Sequence, residues 1–221
     1  MSDLDSTQQF YTRWAELYDH VATAPGVTSW RERVVEMLSL SPGDTVVEMG
    51  CGTGANFPHL RAAVGPNGEV VGIDLVEAML AGARNRIDRR GWQNVHAIRG
   101  DATRSPIEQV DAIISTFLIG MLRDPKTAVE GWLDHLRPGG RIAVMNAGRS
   151  DRVLAMPLNL LFRLFVRFSS PGGRLTRASP AAELESRWRV ARDTLERETS
   201  EFRTETTGLG FIRSARGQIR E

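Results

Sequence analysis

The sequence predicts an α/β fold: a doubly wound, mostly parallel sheet with helices on both faces, closed by a C-terminal antiparallel hairpin. Three observations carry that expectation. Short apolar runs at 46–49, 69–73, 94–99, 110–115 and 141–146 alternate with stretches of helical periodicity, the pattern of a parallel sheet. The first run is followed by Gly50-Cys51-Gly52-Thr53-Gly54, a loop that can turn sharply because glycine tolerates positive φ. The first three strands each end at an acidic residue, Glu48, Asp74 and Asp101. Right-handed crossovers bring all the strand C-termini to one edge, so these carboxylates and Ser115 should converge beside the glycine loop, where ligands of such sheets bind.

In chain order, Phe10, Trp14, Leu17, Tyr18 and Val21 share one face of a first amphipathic helix, broken by Pro25-Gly26. Thr28 is placed to cap a second helix over 29–38, with Arg31, Glu32 and Arg33 exposed. Ser41-Pro42-Gly43-Asp44 turns the chain into the first strand. A helix follows over 55–64, interrupted only by Asn56, His59 and Arg61, and another over 76–88 buries Val76, Met79, Leu80, Ala83 and Ile87. Arg84, Arg86, Arg89 and Arg90 gather near the end of the latter, where cations suit the helix dipole; an anion or RNA patch is the alternative. A helix over 125–136 is closed by Arg137-Pro138-Gly139-Gly140 before the fifth strand. Residues 153–168 are apolar apart from a polar stripe of Asn159, Arg163 and Arg167 and the helix-interrupting Pro157, and two arginines argue against a membrane span. A charged helix over about 181–192 precedes strands at 196–204 and 210–215, joined by Thr207-Gly208-Leu209-Gly210. The expected organisation is one domain, 1–221: cover helices at 1–40, a ligand-binding core at 41–147, an apolar cover helix and loop at 148–180, and a helix and hairpin at 181–221.

Composition excludes several classes. A formal charge of +1 over 221 residues gives no general reason to expect a nucleic-acid partner. The single cysteine, Cys51, rules out an intramolecular disulfide and argues against a zinc cluster. His20, His59, His96 and His135 lack metal-ligand spacing, so no metal is expected. The polar, acidic first nine residues are not those of a signal peptide, and a cytoplasmic protein is expected.

The ligand at the glycine loop can be narrowed. A dinucleotide fingerprint has a third glycine, where this chain has Ala55-Asn56-Phe57 after a GxGxG turn. Glu48, directly before the loop, repels phosphates and attracts an ammonium group. Asp74 can accept from both hydroxyls of a ribose, and Asp101 from an exocyclic adenine amine. The set selects a cationic nucleoside.

On these residues the stretch 34–146 resembles the class I S-adenosylmethionine-dependent methyltransferases, with their Rossmann-like fold. The resemblance implies that Gly50, Cys51, Gly52 and Gly54 back the methionine moiety of S-adenosyl-L-methionine and that Glu48 lies near its ammonium group. It places Asp74 on the ribose, Leu75 on the adenine face, Asp101 and Ala102 at the adenine edge, and Ser115, Thr116 and Phe117 beside the methyl donor. The turn Leu136-Arg137-Pro138-Gly139-Gly140 matches the family's usual one. Tyr18-Asp19 is similar to a Tyr-Asp pair in the N-terminal helix of many small-molecule members, where the Tyr approaches the cofactor. From the residues alone, Asp101 can instead cap the following turn, Tyr18 can pack in the core, and Cys51 can be a loop filler.

Methyl transfer from a sulfonium is mainly a matter of alignment, and a base is needed only where the acceptor must lose a proton. No catalytic residue is advertised; Tyr18 and His20 are the candidates. The chain has no Asp/Asn-Pro-Pro-aromatic motif after strand four, no Pro-Cys nucleophile and no cysteine set for arsenic. The apolar stretch 153–168 fits a small lipophilic acceptor, a quinone precursor or a phospholipid, and either lines its pocket or makes peripheral membrane contact. The layout is similar to the quinone-biosynthesis C-methyltransferases, but Phe117-Leu118-Ile119-Gly120 departs from their more polar loop. A polar metabolite under an apolar lid, and a non-catalytic cofactor-binding protein, are the alternatives.

Overall fold

A computed structural model describes residues 25–104, 107–150, 152, 155, 159 and 180–220. The first helix, Tyr18, His20, Arg163 and Arg167 lie outside the described residues. The elements are α1 (Pro25–Met37), β1 (Thr45–Met49), α2 (Phe57–Val64), β2 (Glu69–Asp74), α3 (Glu77–Arg90), β3 (Val95–Arg99), β4 (Val110–Thr116), α4 (Pro125–Asp134), β5 (Leu136–Ala147), α5 (Pro180–Glu198), β6 (Ser200–Thr207) and β7 (Ile212–Gln218). Seven strands form one sheet in the order β3-β2-β1-β4-β5-β7-β6. The first five run parallel, and β7 pairs antiparallel with both β5 and β6. The predicted fold class, hairpin included, is the one observed.

Both faces are covered, as the uninterrupted apolar strands require. Val34 and Val35 of α1 with Leu38 just after it, Phe57, Leu60 and Val64 of α2, and Leu80, Ala83 and Ile87 of α3 pack on one face, against Val46, Ala112, Ile114, Ala143 and Met145. Ala128, Val129, Trp132 and Leu133 of α4 and Trp188, Ala191 and Leu195 of α5 pack on the other, against Val47, Ile113, Ile142 and Val144. Alternation along each strand therefore decides which side a polar terminus faces. Glu48, Asp74 and Thr116 share the parity of the α1–α3 face.

Several boundaries differ from expectation. Helix α1 begins at Pro25, ahead of the predicted Thr28 cap. A proline in a first turn lacks only an N–H that would find no partner there, so it can start this second helix three residues ahead of the expected cap. Helix α4 stops at Asp134, because Leu136 already pairs with Val110 of β4. Arg141 is the next residue of β5 to pair with β4, at Ala112, so the predicted closing turn is a bulge inside the strand, with Gly139 at φ 75°. Helix α5 runs on to Glu198, since Trp188, Ala191 and Leu195 continue one buried stripe, and this delays β6 to Ser200. Pairing with β5 carries β7 through Gln218.

Candidate functional site

The glycine loop leaves β1 as predicted. Gly50, Gly52 and Gly54 have φ of 73°, 55° and 73°, a conformation that costs other residues about 1–2 kcal/mol each. The N–H groups of Gly50 and Cys51 donate to the carbonyl of Ile73 on β2, and that of Gly54 to the carbonyl of Cys51. Gly54 has a second reason to be glycine. A Cβ there would lie 2.5 Å from the ring of Phe57, and one at Gly72 on β2 would lie 2.4 Å from it. Phe57, fully buried, thus occupies a slot that only these two glycines leave open. From α3, the Nε of Arg86 donates to the carbonyl of Thr53 (3.1 Å) and ties the loop from outside. One of the four clustered arginines therefore serves the loop, while Arg84 pairs with Glu77, Arg89 bonds Asn85 and Arg90 lies over Trp92.

Asp74 closes the other side of the loop. One carboxylate oxygen accepts from the N–H of Gly52 (2.8 Å) and the other from the N–H of Val76 (2.9 Å). Burial raises its pKa, opposed by the backbone N–H groups of Val76, Gly52 and Leu75. Each oxygen keeps a lone pair beyond these bonds, and two adjacent acceptors suit a vicinal diol.

At the end of β1 lies a buried polar network. Glu48 is 1% exposed. One of its oxygens accepts from the Nδ2 of Asn56 (2.5 Å), and the other, Oε2, is buried with no partner. Asn56 also donates to the hydroxyl of Thr116 (3.0 Å). Arg31 of α1 donates through Nη1 to both Asn56 Oδ1 (3.1 Å) and Thr116 Oγ1 (3.0 Å). Arg31 is 4% exposed, which corrects the expectation that it faces solvent. Periodicity had the information: Val34, Val35 and Leu38 stand three, four and seven residues on, so Arg31 belongs to their stripe. Its guanidinium sits 5.3 Å from the centre of the Phe117 ring. Phe117 itself has φ 62°, an outlier for a bulky residue, held by its N–H to the Met145 carbonyl (2.7 Å). Burial pushes the Glu48 carboxyl up to about 8, despite the opposing charge of Arg31 and the hydrogen bonds of Asn56 and Thr116, and the charge of Asp74 adds to the rise.

The remaining predicted residues divide. Thr116 joins the network. Ser115, fully buried on the opposite face, donates to the Met49 carbonyl (3.0 Å) and ties β4 to β1. Asp101 is exposed and caps its own turn, accepting from the N–H (2.9 Å) and hydroxyl (2.8 Å) of Thr103. The Ala102 carbonyl accepts from the Trp132 indole (2.7 Å), which anchors that turn to α4. Leu75 is half-buried beside Asp74. Cys51 is buried, and burial with the charges of Glu48 and Asp74 pushes its thiol well above the ordinary range, as befits a loop filler. Leu118 covers Gly50, where a Cβ would lie 2.9 Å from its side chain. Sequence reasoning missed Arg31 as a site residue, and Asn56 was seen only as a polar interruption of a helix.

The set fits S-adenosyl-L-methionine. A buried carboxylate oxygen without a partner suits an ammonium group, the paired acceptors of Asp74 suit a ribose, and the glycine backbone lets a ligand approach. Nothing in the loop is built for a pyrophosphate, whose charge Glu48 would oppose.

Comparison with known proteins agrees with this geometry. Residues 46–140 match the family model described as a methyltransferase domain. A phosphatidylethanolamine N-methyltransferase of Cereibacter sphaeroides is 29% identical over 178 residues, covering 77% of this chain and 81% of the relative. A demethylmenaquinone methyltransferase of Bacillus cytotoxicus is 25% identical over 140 residues, covering 62% and 59%. The chain spans only 36% and 28% of the lengths of two further curated relatives. A solved S-adenosylmethionine-dependent methyltransferase from Aquifex aeolicus superposes with a TM-score of 0.62 at 23% identity, over 86% of this chain and 89% of that one.

Proposed function

We propose that this chain, which carries a class I S-adenosylmethionine-dependent methyltransferase domain, methylates a small lipophilic acceptor, with the headgroup amine of a phospholipid as the first acceptor to test and a quinone precursor as the second. One observation carries the reading. The phosphatidylethanolamine N-methyltransferase aligns over 178 residues, well beyond the domain match at 46–140, and that longer likeness supports an acceptor of the same kind.

S-adenosyl-L-methionine, when bound, supplies a methyl group already activated on a positive sulfur. The chain's own contribution is to hold, orient and exclude water. Asp74 fixes the ribose end, and Glu48 receives the ammonium group in its ionised form. Arg31, Asn56 and Thr116 hold the Glu48 carboxyl in place. Leu118 covers Gly50 of the loop, on the side we assign to the acceptor. An amine acceptor reaches the protein as an ammonium and has to lose a proton first; Tyr18 and His20 are our proposed bases for that step. Leu75, Asp101 and Ala102 are proposed for the adenine, and Tyr18 for cofactor contact as well.

The test is methyl transfer from labelled S-adenosyl-L-methionine to vesicles containing phosphatidylethanolamine, with a demethylmenaquinone arm. Label is expected in the lipid fraction. Label found only in a water-soluble amine would replace this reading with that of a polar metabolite. Among the described residues no helix is long and apolar enough to cross a membrane, so contact with lipid, in this proposal, is peripheral.

A further inference from the structure

A second charged cluster lies at the other end of the sheet, unrelated to the methyl donor. On β6 and β7, Arg203 stands directly opposite Arg216. On β5 and β7, Ala143 stands opposite Arg216 and Arg141 opposite Gln218, so Arg141, Arg203 and Arg216 all face the side covered by α1. Arg141 pairs with Ala112 of β4, four residues before Thr116, which puts the cluster roughly 13 Å along the strands from the buried network. Between these strands and the end of α1 is a cavity of about 450 Å³, lined by Glu36, Ser39, Arg203, Thr204, Glu205 and Arg216, among others.

Two guanidiniums, Arg203 and Arg216, and two carboxylates, Glu36 and Glu205, line the cavity. Glu205 is already held at both oxygens by Arg33 (2.6 and 3.1 Å). Arg216 pairs with Glu201 (3.5 Å) and donates to Gln218 Oε1 (3.2 Å), both through Nη2. Arg203 has no ion pair among the described residues. Arg216 is 8% exposed, and its Nε is buried without an acceptor, as is the Nε of Arg141. Burial lowers the pKa of Arg216; Glu201 opposes this, while the charges of Arg203 and Arg141 add to it. Like charges placed opposite one another on neighbouring strands destabilise a sheet unless something is shared between them. Two guanidiniums side by side on paired strands, both lining one cavity, match a tetrahedral dianion, which offers several acceptor oxygens to be shared between them.

We propose that this cavity binds a phosphate group, as the free anion or as a small monoester, independently of the methyl donor. Isothermal calorimetry in buffers of matched chloride concentration tests it, with inorganic phosphate and glycerol 3-phosphate as probes. Saturable binding of at least one probe to the wild-type chain is expected at a Kd of about 1 mM or tighter. The exposed Arg203→Ala, which should fold normally, is expected to weaken it by about tenfold or more, while S-adenosylhomocysteine binds as in the wild type. Arg216→Lys keeps the charge but removes the fork, and should weaken phosphate also; if that variant does not fold, Arg203→Ala decides. The tighter of the two probes tells whether the free anion or the ester is preferred. Absence of saturation by both probes up to about 10 mM, or unchanged affinity in Arg203→Ala, would overturn the site.

Discussion

The two ends of the sheet show the same irregularity with opposite sign. At the C-terminal ends of β1 and β4 a buried carboxyl, Glu48, keeps one oxygen without a partner. Just past the bulge in β5, at Arg141, and beside it on β7, at Arg216, two guanidiniums each keep a buried Nε donor without an acceptor. Folded proteins leave few such groups, and each asks for an explanation. The difference lies in what surrounds them. Glu48 is enclosed by one cation, Arg31, and the polar side chains of Asn56 and Thr116, which only partly offset its burial, so it can shed its charge by taking up a proton. At the other edge Arg203 and Arg216 stand opposite one another, and no proton can leave to relieve them. One end is adjustable by pH and the other only by a counter-ion.

That contrast can be broken or sharpened experimentally. The largest effect expected is structural and common to both ends. Phe57→Ala empties the slot between Gly54 and Gly72 and should lower stability by about 3–5 kcal/mol in denaturant titration, with the glycine loop losing its support. Asp74→Ala comes next. It removes the acceptors proposed for the ribose and those of two backbone N–H groups, and the S-adenosylhomocysteine Kd should rise on the order of a hundredfold, about 2.7 kcal/mol. An unchanged Kd would remove Asp74 from the site.

Glu48 gives the pH test. Its carboxyl holds a proton more tightly in the folded chain than in the unfolded one. Its contribution to stability is therefore greatest below the ordinary carboxylate range and falls as pH rises towards about 8, by up to about 1.4 kcal/mol per pH unit. In Glu48→Gln that slope should be missing from unfolding curves recorded without ligand. By the same linkage, binding of S-adenosylhomocysteine should release a proton at neutral pH, seen as a dependence of the calorimetric heat on buffer ionisation. A wild-type slope equal to that of Glu48→Gln would mean that the carboxyl is already ionised in the free protein. The smallest expected effect is that of Thr116→Val, which takes one hydroxyl from the network and should cost about 1 kcal/mol, with S-adenosylhomocysteine affinity falling only a fewfold.

What could be read in the sequence follows from how local its signals are. Strands β1 to β4, the turn after β1 and the acidic strand ends depend on residues close in the chain, and apolar period and glycine spacing report those directly. The buried network does not. Arg31 meets Thr116 across 85 positions, and only the stripe it shares with Val34, Val35 and Leu38 hinted at burial. Asn56 looked like a blemish on an apolar helix because its partners, Glu48 and Thr116, sit at the ends of two strands that the fold brings together. Asp101 could be read in two ways from the start, and its geometry is that of a turn cap. Of the polar stripe expected in 153–168, Asn159 is buried and exchanges hydrogen bonds with the backbone of Ser150 (2.8 and 3.0 Å). A polar residue at helical spacing does not say whether water or backbone will satisfy it. Helix ends failed where tertiary pairing competes with propensity, as at Leu136, which β4 captures from α4.

The part Arg31 plays bears on modularity. The family-model match falls between residues 46 and 140, the span a transplant would carry into another protein. Such a graft would leave behind α1 and with it the cation that faces Glu48. It would also leave behind β7, the neighbour that shields the outer side of β5. The transplanted loop would keep its shape, yet the acid beneath it would sit in an apolar floor with no countercharge. The portable unit is therefore longer than its signature, and begins no later than α1.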